Sequence, residues 1–287
     1  MSINSKKEGR RIKSQIPMDR ISPYIMPSRS GASNSFCATV SIEKCDELIR
    51  QKRAEGLKGF GMMHIFMAAY IRTVSQRPGI NRFIRGQKVF ARNNIEICLT
   101  IKKEMKLNAP ETVIKLFATP SDTLDEVYKN LCATLEENRA EGDQNGMDSV
   151  ARILTFIPGV LLKFAVWLLK LLDYFGLLPR ALTKVSPFHG SMFITNMGSL
   201  GMPPIFHHLY NFGTLPVFIA MGEKRTGYQV NENGEAEKHR LFDFTVVCDE
   251  RICDGHYYSS AFKQLKKYIE NPADLLAPPE MVVEDIR

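Results

Sequence analysis

The chain is poor in the residues that mark many familiar site chemistries. Its 287 residues hold one tryptophan and six cysteines. Cys37, Cys45, Cys98, Cys132, Cys248 and Cys253 show no C-x-x-C spacing, so neither a zinc site nor a disulfide framework is indicated. Most fall in apolar segments, as small buried hydrophobes do. Neither a G-x-G-x-x-G nor a P-loop phosphate cradle is present. A hydrolytic serine is unsupported, because there is no G-x-S-x-G. No internal repeat is visible. The N-terminal Met-Ser-Ile-Asn-Ser-Lys-Lys-Glu lacks the apolar run of a signal peptide. With thiols expected to stay reduced, this points to the cytoplasm.

What is there describes an ordinary globular chain, 44% hydrophobic and 24% charged, which excludes wholesale disorder. The net charge of +7 concentrates near the N-terminus, in Lys6, Lys7, Arg10, Arg11, Lys13, Arg20 and Arg29. Such a stretch attracts anions or forms a solvated arm. No aromatic interleaving or nucleic-acid motif accompanies it, so residues 1–15 are expected to be a solvated basic arm and nucleic acid is not an expected partner. Residues 16–287 are expected to form one domain.

The elements alternate in type. Strands are predicted over 36–42, 88–92, 94–103 and 113–118. Helices are predicted over 43–55 and 62–76, the second stopped by Arg77-Pro78-Gly79. Asp122 is expected to cap a helix whose Leu124, Val127, Tyr128, Leu131 and Leu135 share one face, ending at 142–146. Strands follow at 191–195, 216–224, 226–231 and 240–248, with Asn233-Gly234 as a hairpin turn. A last helix over 256–269 ends at Asn271-Pro272. The pattern is a mixed α/β layout, with a mixed sheet covered by helices.

Residues 153–179 are nearly continuous apolar sequence, long enough to span a bilayer. About a dozen strongly apolar residues favour insertion by roughly 6 kcal/mol, and Lys163, Lys170 and Asp173 oppose it by up to roughly 8 kcal/mol. Pro158-Gly159 also divides the segment into two short helices. A buried or subunit-contacting helical hairpin, within an insertion of about 145–188, ranks ahead of an interfacial lipid contact, and a true span ranks last.

Four stretches carry a family resemblance. Tyr70-Ile-Arg-Thr-Val-Ser-Gln-Arg-Pro-Gly-Ile-Asn81 ends a helix in a proline turn, and Asn94-Ile-Glu-Ile-Cys-Leu-Thr-Ile-Lys-Lys-Glu104 is the strand after it. Ser191-Met-Phe-Ile-Thr-Asn-Met-Gly-Ser-Leu-Gly201 is similar to T-F-T-I-S-N-L-G-x-x-G, and Thr245-Val-Val-Cys-Asp-Glu-Arg-Ile-Cys-Asp-Gly255 to S-x-x-x-D-H-R-x-x-D-G. The chain thus resembles the catalytic domain of the dihydrolipoyl acyltransferases of 2-oxo-acid dehydrogenase complexes and, more distantly, chloramphenicol acetyltransferase. The resemblance covers most of Ile16 to Leu276. It implies a chloramphenicol-acetyltransferase-like α/β two-layer sandwich, a homotrimer with its pocket between subunits, and acyl transfer between coenzyme A and a thiol or hydroxyl acceptor. No metal is implied, and the family's lipoyl and peripheral-subunit-binding domains have no room on this chain.

In that family a histidine takes the acceptor's proton while a Ser or Thr hydroxyl donates to the oxyanion. Thr195 falls at the hydroxyl position, although a plain strand threonine is the competing reading. Asp254 falls at a structural carboxylate expected to pair with an N-terminal arginine, here Arg20, and Gly255 suits the sharp strand-to-helix turn. The base position holds Glu250. An ordinary glutamate titrates near ~4.3 and a thiol near ~8.5, so a histidine near ~6.5 suits this transfer better. Glu250 itself, or a nearby histidine (His256, His207, His208 or His189), is the candidate base. Asn196, His207 and His208 are candidate substrate contacts, although a lone histidine is more often a surface or core residue. The leading expectation is a stand-alone CoA-dependent acyltransferase with a divergent site. The alternatives are a non-catalytic relative that binds acyl compounds or scaffolds a complex, and a lipid- or membrane-associated acyltransferase or carrier.

Overall fold

The computed structural model describes residues 8–102, 111–140 and 156–287. Its centre is a six-stranded mixed sheet in the order β2-β9-β8-β7-β5-β6. The strands are β2 (Ser33–Ser41), β5 (Ile95–Lys102), β6 (Glu111–Ala118), β7 (Met192–Asn196), β8 (Val217–Val230) and β9 (Ala236–Asp249). β7 runs parallel to β5 and β8, and the other neighbours are antiparallel. A smaller antiparallel sheet joins β1 (Gly9–Arg11), β4 (Lys88–Arg92) and β3 (Arg82–Arg85). The helices are α1 (Pro17–Ile25), α2 (Glu43–Ala54), α3 (Met62–Gln76), α4 (Leu124–Ala140), α5 (Gly159–Phe175), α6 (Arg180–Val185) and α7 (Gly255–Glu270).

Alternation along each strand assigns the two faces of the large sheet. Met192 and Ile194 of β7, Val217, Ile219 and Met221 of β8, and Phe242, Phe244, Val246 and Cys248 of β9 join the main core. There they meet buried residues of α3 and α7, with Phe66 edge-on to Phe244 at 5.0 Å. The intervening residues face the other way. Cys98, Phe193, Phe218 and Val247 make a second cluster, covered by Leu209 and Leu215 of the 201–216 loop.

Several elements depart from the sequence reading. Residues 8–12 are not a solvated arm: β1 pairs with β4, Ile12 is buried, and the buried Glu8 carboxylate pairs with Arg85 and Arg180. Asp122 does not cap α4. It closes a turn on the Thr119 backbone N–H, and the cap is a Thr123/Glu126 box, in which Thr123 N donates to Glu126 Oε2 at 2.7 Å. The strands predicted at 216–224 and 226–231 are one strand, β8, with a register shift between Met221 and Lys224.

In the apolar region α5 and α6 are helices; of the first arm expected before Pro158, residues 153–155 lie outside the described residues and 156–157 form a turn, and the end of α4 at 142–146 also lies outside the described residues. Among the described residues no helix is long and apolar enough to cross a membrane.

A buried ionic network ties this region down. Arg180 bridges Glu8 at 3.0 Å and Glu96 at 2.7 Å, and Lys115 reaches Glu96 at 3.4 Å. Asp173, the one buried residue of α5, accepts from His189 Nε2 at 3.1 Å and from the Gly213 backbone N–H at 3.1 Å. Gly213 has φ of 85°, and a Cβ there would lie 2.0 Å from the Phe188 carbonyl oxygen, so only glycine fits.

Candidate active site

The Glu250 motif sits where β9 runs out into the turn before α7. Its rigidity comes from the residue before Glu250. Asp249 is fully buried, and Arg251 grips its carboxylate with two hydrogen bonds of 2.7 Å. Arg29 approaches from the other side at 3.4 Å. Burial lowers the Arg29 guanidinium to about 10, and the Asp249 charge beside it acts the opposite way. Arg29 also donates to the Tyr210 and Gly213 carbonyls, Arg251 to that of Met26, and Tyr258 Oη to that of Asp249. These backbone carbonyls take up further donors of the clamp, which offsets part of the cost of burying its charges, while Arg29 Nε makes only the 3.4 Å ion pair.

Against this clamp the Asp254–Arg20 expectation fails within the chain. Asp254 is exposed and caps α7, accepting from Tyr257 N at 2.7 Å. Arg20 lies exposed on α1, and among the described residues no ion pair joins it to Asp254. Gly255 opens α7 as anticipated.

Glu250 itself is half-buried. Its backbone N–H donates to the Ala32 carbonyl at 2.9 Å, and its carboxylate accepts a 2.6 Å hydrogen bond from Asn34 Nδ2 on the edge strand β2. Asn34 also lines a cavity of about 400 Å³ with Phe36, Cys248, Tyr258 and Phe262, bordered by Lys263 and Lys266. The carboxylate thus stands beside an apolar slot that carries two cations. His256 is exposed at the first turn of α7.

The second half of the site lies on the sheet face opposite α3 and α7. Thr195 pairs with Ala220, which pairs with Thr245, so two threonines flank a small residue across three strands. The Thr245 hydroxyl is committed to the Ile205 carbonyl. Thr195 is half-buried, and its hydroxyl has no partner among the described residues. The His207 ring stacks on Phe218 at 4.1 Å, and Phe218 stacks on Phe193 at 4.9 Å, so His207 covers the same face as Thr195. His208 is exposed beside it.

Asn196 turns to the helix side, caps the turn after β7 by accepting from Ser199 N, and lines a cleft of about 690 Å³ with Arg50, Arg53 and Lys224. Gly198 of the same motif passes so close to β8 that a Cβ would lie 2.2 Å from the Gly222 carbonyl oxygen. His189 is buried between Ser186 and Asp173.

Register separates the two halves. Glu250 lies five residues beyond Thr245, and β9 is two strands from β7. At ~3.4 Å per residue and ~4.8 Å per strand, Thr195 and Glu250 are roughly 20 Å apart in one chain. A single chain does not bring the candidate hydroxyl and the candidate base together. Asn34, Arg29 and Asp249 are the residues that sequence reasoning missed. The only local signal was the D-x-R spacing of Asp249 and Arg251 inside the motif.

Comparison with known proteins defines first a fold class. Solved structures of the chloramphenicol-acetyltransferase-like fold align over nearly the whole chain. A dihydrolipoamide acetyltransferase of Azotobacter vinelandii aligns with TM-score 0.61 and 11% identity, over 92% of this chain and 94% of its own. The cubic core of a pyruvate dehydrogenase multienzyme complex aligns at 0.54 and 11%, over 92% and 94%. A chloramphenicol acetyltransferase aligns at 0.54 and 12%, over 91% and 99%. At these identities the likeness concerns fold.

The family resemblance then comes from sequence. Residues 181–277 match the 2-oxoacid dehydrogenases acyltransferase (catalytic domain) family, a stretch that contains both the Thr195 and the Glu250 motifs. The resemblance read from the motifs is borne out, and this part of the chain is similar to an acyltransferase catalytic domain of the 2-oxoacid dehydrogenase type. No curated protein matches the chain by sequence.

Proposed function

We propose that the protein is a coenzyme-A-dependent acyltransferase whose site is completed between subunits, with Glu250 where its relatives place a histidine. The observation that carries this reading is the Glu250 carboxylate, fixed by Asn34 beside an apolar cavity bordered by Lys263 and Lys266. An acyl-CoA thioester offers an apolar acyl end and an anionic phosphate end, which suits that slot. Thr195 supplies the uncommitted hydroxyl for the oxyanion, and His207 borders the acceptor side.

In this reading Glu250 takes the proton of an acceptor thiol or hydroxyl as the sulfur or oxygen attacks the thioester carbonyl. The tetrahedral oxyanion receives the Thr195 hydrogen bond, then collapses and releases the coenzyme A thiolate, which recovers the proton. His256 is exposed next to this turn and is the alternative base.

The separation of roughly 20 Å within one chain requires a neighbouring subunit to bring Thr195 to Glu250. One structural neighbour is a cubic core, and cubic symmetry is built on threefold axes, which supports a trimer as the smallest complete unit. The A. vinelandii relative is described by the roles of a serine, a histidine and an asparagine in its mechanism, the last two four positions apart. Glu250 and Asp254 share that spacing.

The test mixes two single variants. Thr195→Ala and Glu250→Gln should each lose acyl transfer from acyl-CoA. Co-refolded in equal amounts, they should recover about a quarter of wild-type activity, because each interface draws one half-site from each of two subunits. Two inactive variants that stay inactive after mixing would remove the shared site. A wild-type chain that binds acyl-CoA without turnover would favour a non-catalytic relative.

A further inference from the structure

The acyl-transfer reading leaves α5 unused. The helix shows three longitudinal faces. Leu162, Ala165, Leu169 and Leu172 are half-buried, and with the buried Asp173 they form the stripe turned to the domain. Val160, Leu161, Phe164, Leu168, Leu171 and Phe175 form a second, exposed stripe, with Val160 83% and Phe175 63% exposed. Between them runs a narrow flank of Lys163, Trp167, Lys170 and Tyr174, all exposed. A contiguous exposed apolar stripe of this length on one helix exceeds the scattered hydrophobics normal on a soluble surface.

The helix is held so that this stripe always points outward. Asp173 is bonded to His189 and Gly213, Tyr174 Oη donates to Gln87, and Gly176 closes the C-terminus in the left-handed conformation. α5 therefore cannot roll its apolar face onto its own domain without breaking the buried Asp173 contacts.

Charge decides between occupants. Asp173 is the only acidic residue of α5 and it is buried, while Lys163 and Lys170 have no partner among the described residues. A second copy packed along α5 would bring two lysine-bearing flanks together with no acid on either helix to answer them. An anionic surface answers both lysines, and Trp167 and Tyr174 sit between the lysines and the apolar stripe, where amphipathic rings lie at a headgroup boundary.

We propose that α5 is an interfacial helix that docks the protein onto an anionic lipid surface, with its Val160–Phe175 stripe in the acyl boundary and Lys163 and Lys170 at the headgroups. The helix lies in the interface and does not cross it: its 17 residues are not long and apolar enough for a span, and Asp173 in its last turn is buried and bonded into the domain.

Trp167 is the only tryptophan, so its emission reports on α5 alone. With the full chain and vesicles of phosphatidylglycerol in phosphatidylcholine, the emission should shift to the blue and the protein should co-sediment. Lys163→Gln with Lys170→Gln should weaken that binding roughly 30-fold, about fivefold for each lysine. Phe164→Gln with Leu168→Gln should abolish it without altering the far-ultraviolet circular dichroism.

Three results would overturn the proposal. One is an unshifted spectrum, with the protein left in the supernatant at every anionic content. Another is equal binding to pure phosphatidylcholine before and after lysine removal. The third is a light-scattering mass that rises with concentration and falls back in the Phe164/Leu168 variant without vesicle binding, which would assign the stripe to a second copy.

Discussion

The Asp249 clamp makes a prediction that separates two accounts of how the Glu250 turn is held. The sequence pattern gives that task to Asp254, and the structure gives it to Asp249. In Asp249→Asn the side chain keeps its volume but loses its charge, leaving the guanidiniums of Arg29 and Arg251 facing each other, 4% and 5% exposed. Breaking a buried pair by removing one partner costs about 3–5 kcal/mol. Here two cations are orphaned, although their bonds to the Tyr210, Gly213 and Met26 carbonyls remain, so the middle of that range is expected. A typical domain has only about 5–15 kcal/mol in total.

Asp254→Ala removes one exposed helix cap and should cost about 1 kcal/mol. Urea unfolding followed by circular dichroism measures both on one scale. The Asp249→Asn midpoint should fall several times further than that of Asp254→Ala. Equal midpoints, or a larger effect at Asp254, would refute the clamp and restore the sequence assignment.

Three further outcomes follow from the same structure. Glu250→His should raise acyl transfer from acetyl-CoA to a simple thiol by ~100-fold or more, the scale of a well-placed base, with acetyl-CoA and the product thioester separated and quantified by chromatography; no change would take Glu250 out of the chemistry. Burial opposes the Glu8 charge, but Arg85 and Arg92 outweigh it and hold the carboxyl near 2, below its ordinary 4.5. Its folded-state pKa is depressed, so its stabilisation is complete above about 4.5 and fades as pH falls toward 2; Glu8→Gln should flatten the unfolding free energy against pH in that window. Gly213→Ala should cost several kcal/mol in urea unfolding, because the Phe188 carbonyl occupies the Cβ position, whereas Gly234→Ala, in an open turn, should cost far less.

Elements with a strong period could be read from sequence, and paired elements could not. Helix α3 appears over the predicted residues 62–76, because an apolar run flanked by glycine and a proline turn leaves little choice. β5 follows from the alternation of Ile95, Ile97, Leu99 and Ile101. α1, β1 and β3 were not anticipated. They are nine residues or fewer, and β1 exists only because β4 lies beside it. The same distinction governs the site. Glu250, Thr195 and Gly255 could be placed because they sit inside motifs. Asn34 and Arg29 meet Glu250 and Asp249 across more than two hundred residues of chain, and no local spacing announces such a contact.

The buried polar groups also link the two features that the sequence left unconnected. Asp173 on α5 accepts from the Gly213 N–H, the Gly213 carbonyl accepts from Arg29, and Arg29 pairs with Asp249, the residue before Glu250. Each link is buried, so each would be costly to break without a replacement partner. The root of the exposed apolar helix and the turn that carries the candidate base are thus joined by an unbroken chain of contacts. Contiguity is not itself coupling. It does mean that any displacement of α5 large enough to move Asp173 must be absorbed by Gly213 or passed to Arg29. Gly213 is hemmed in by the Phe188 carbonyl and has little room to absorb it. A surface that engages α5 is therefore positioned to act on the Glu250 turn through packed, charged groups and not through a loop free to give way.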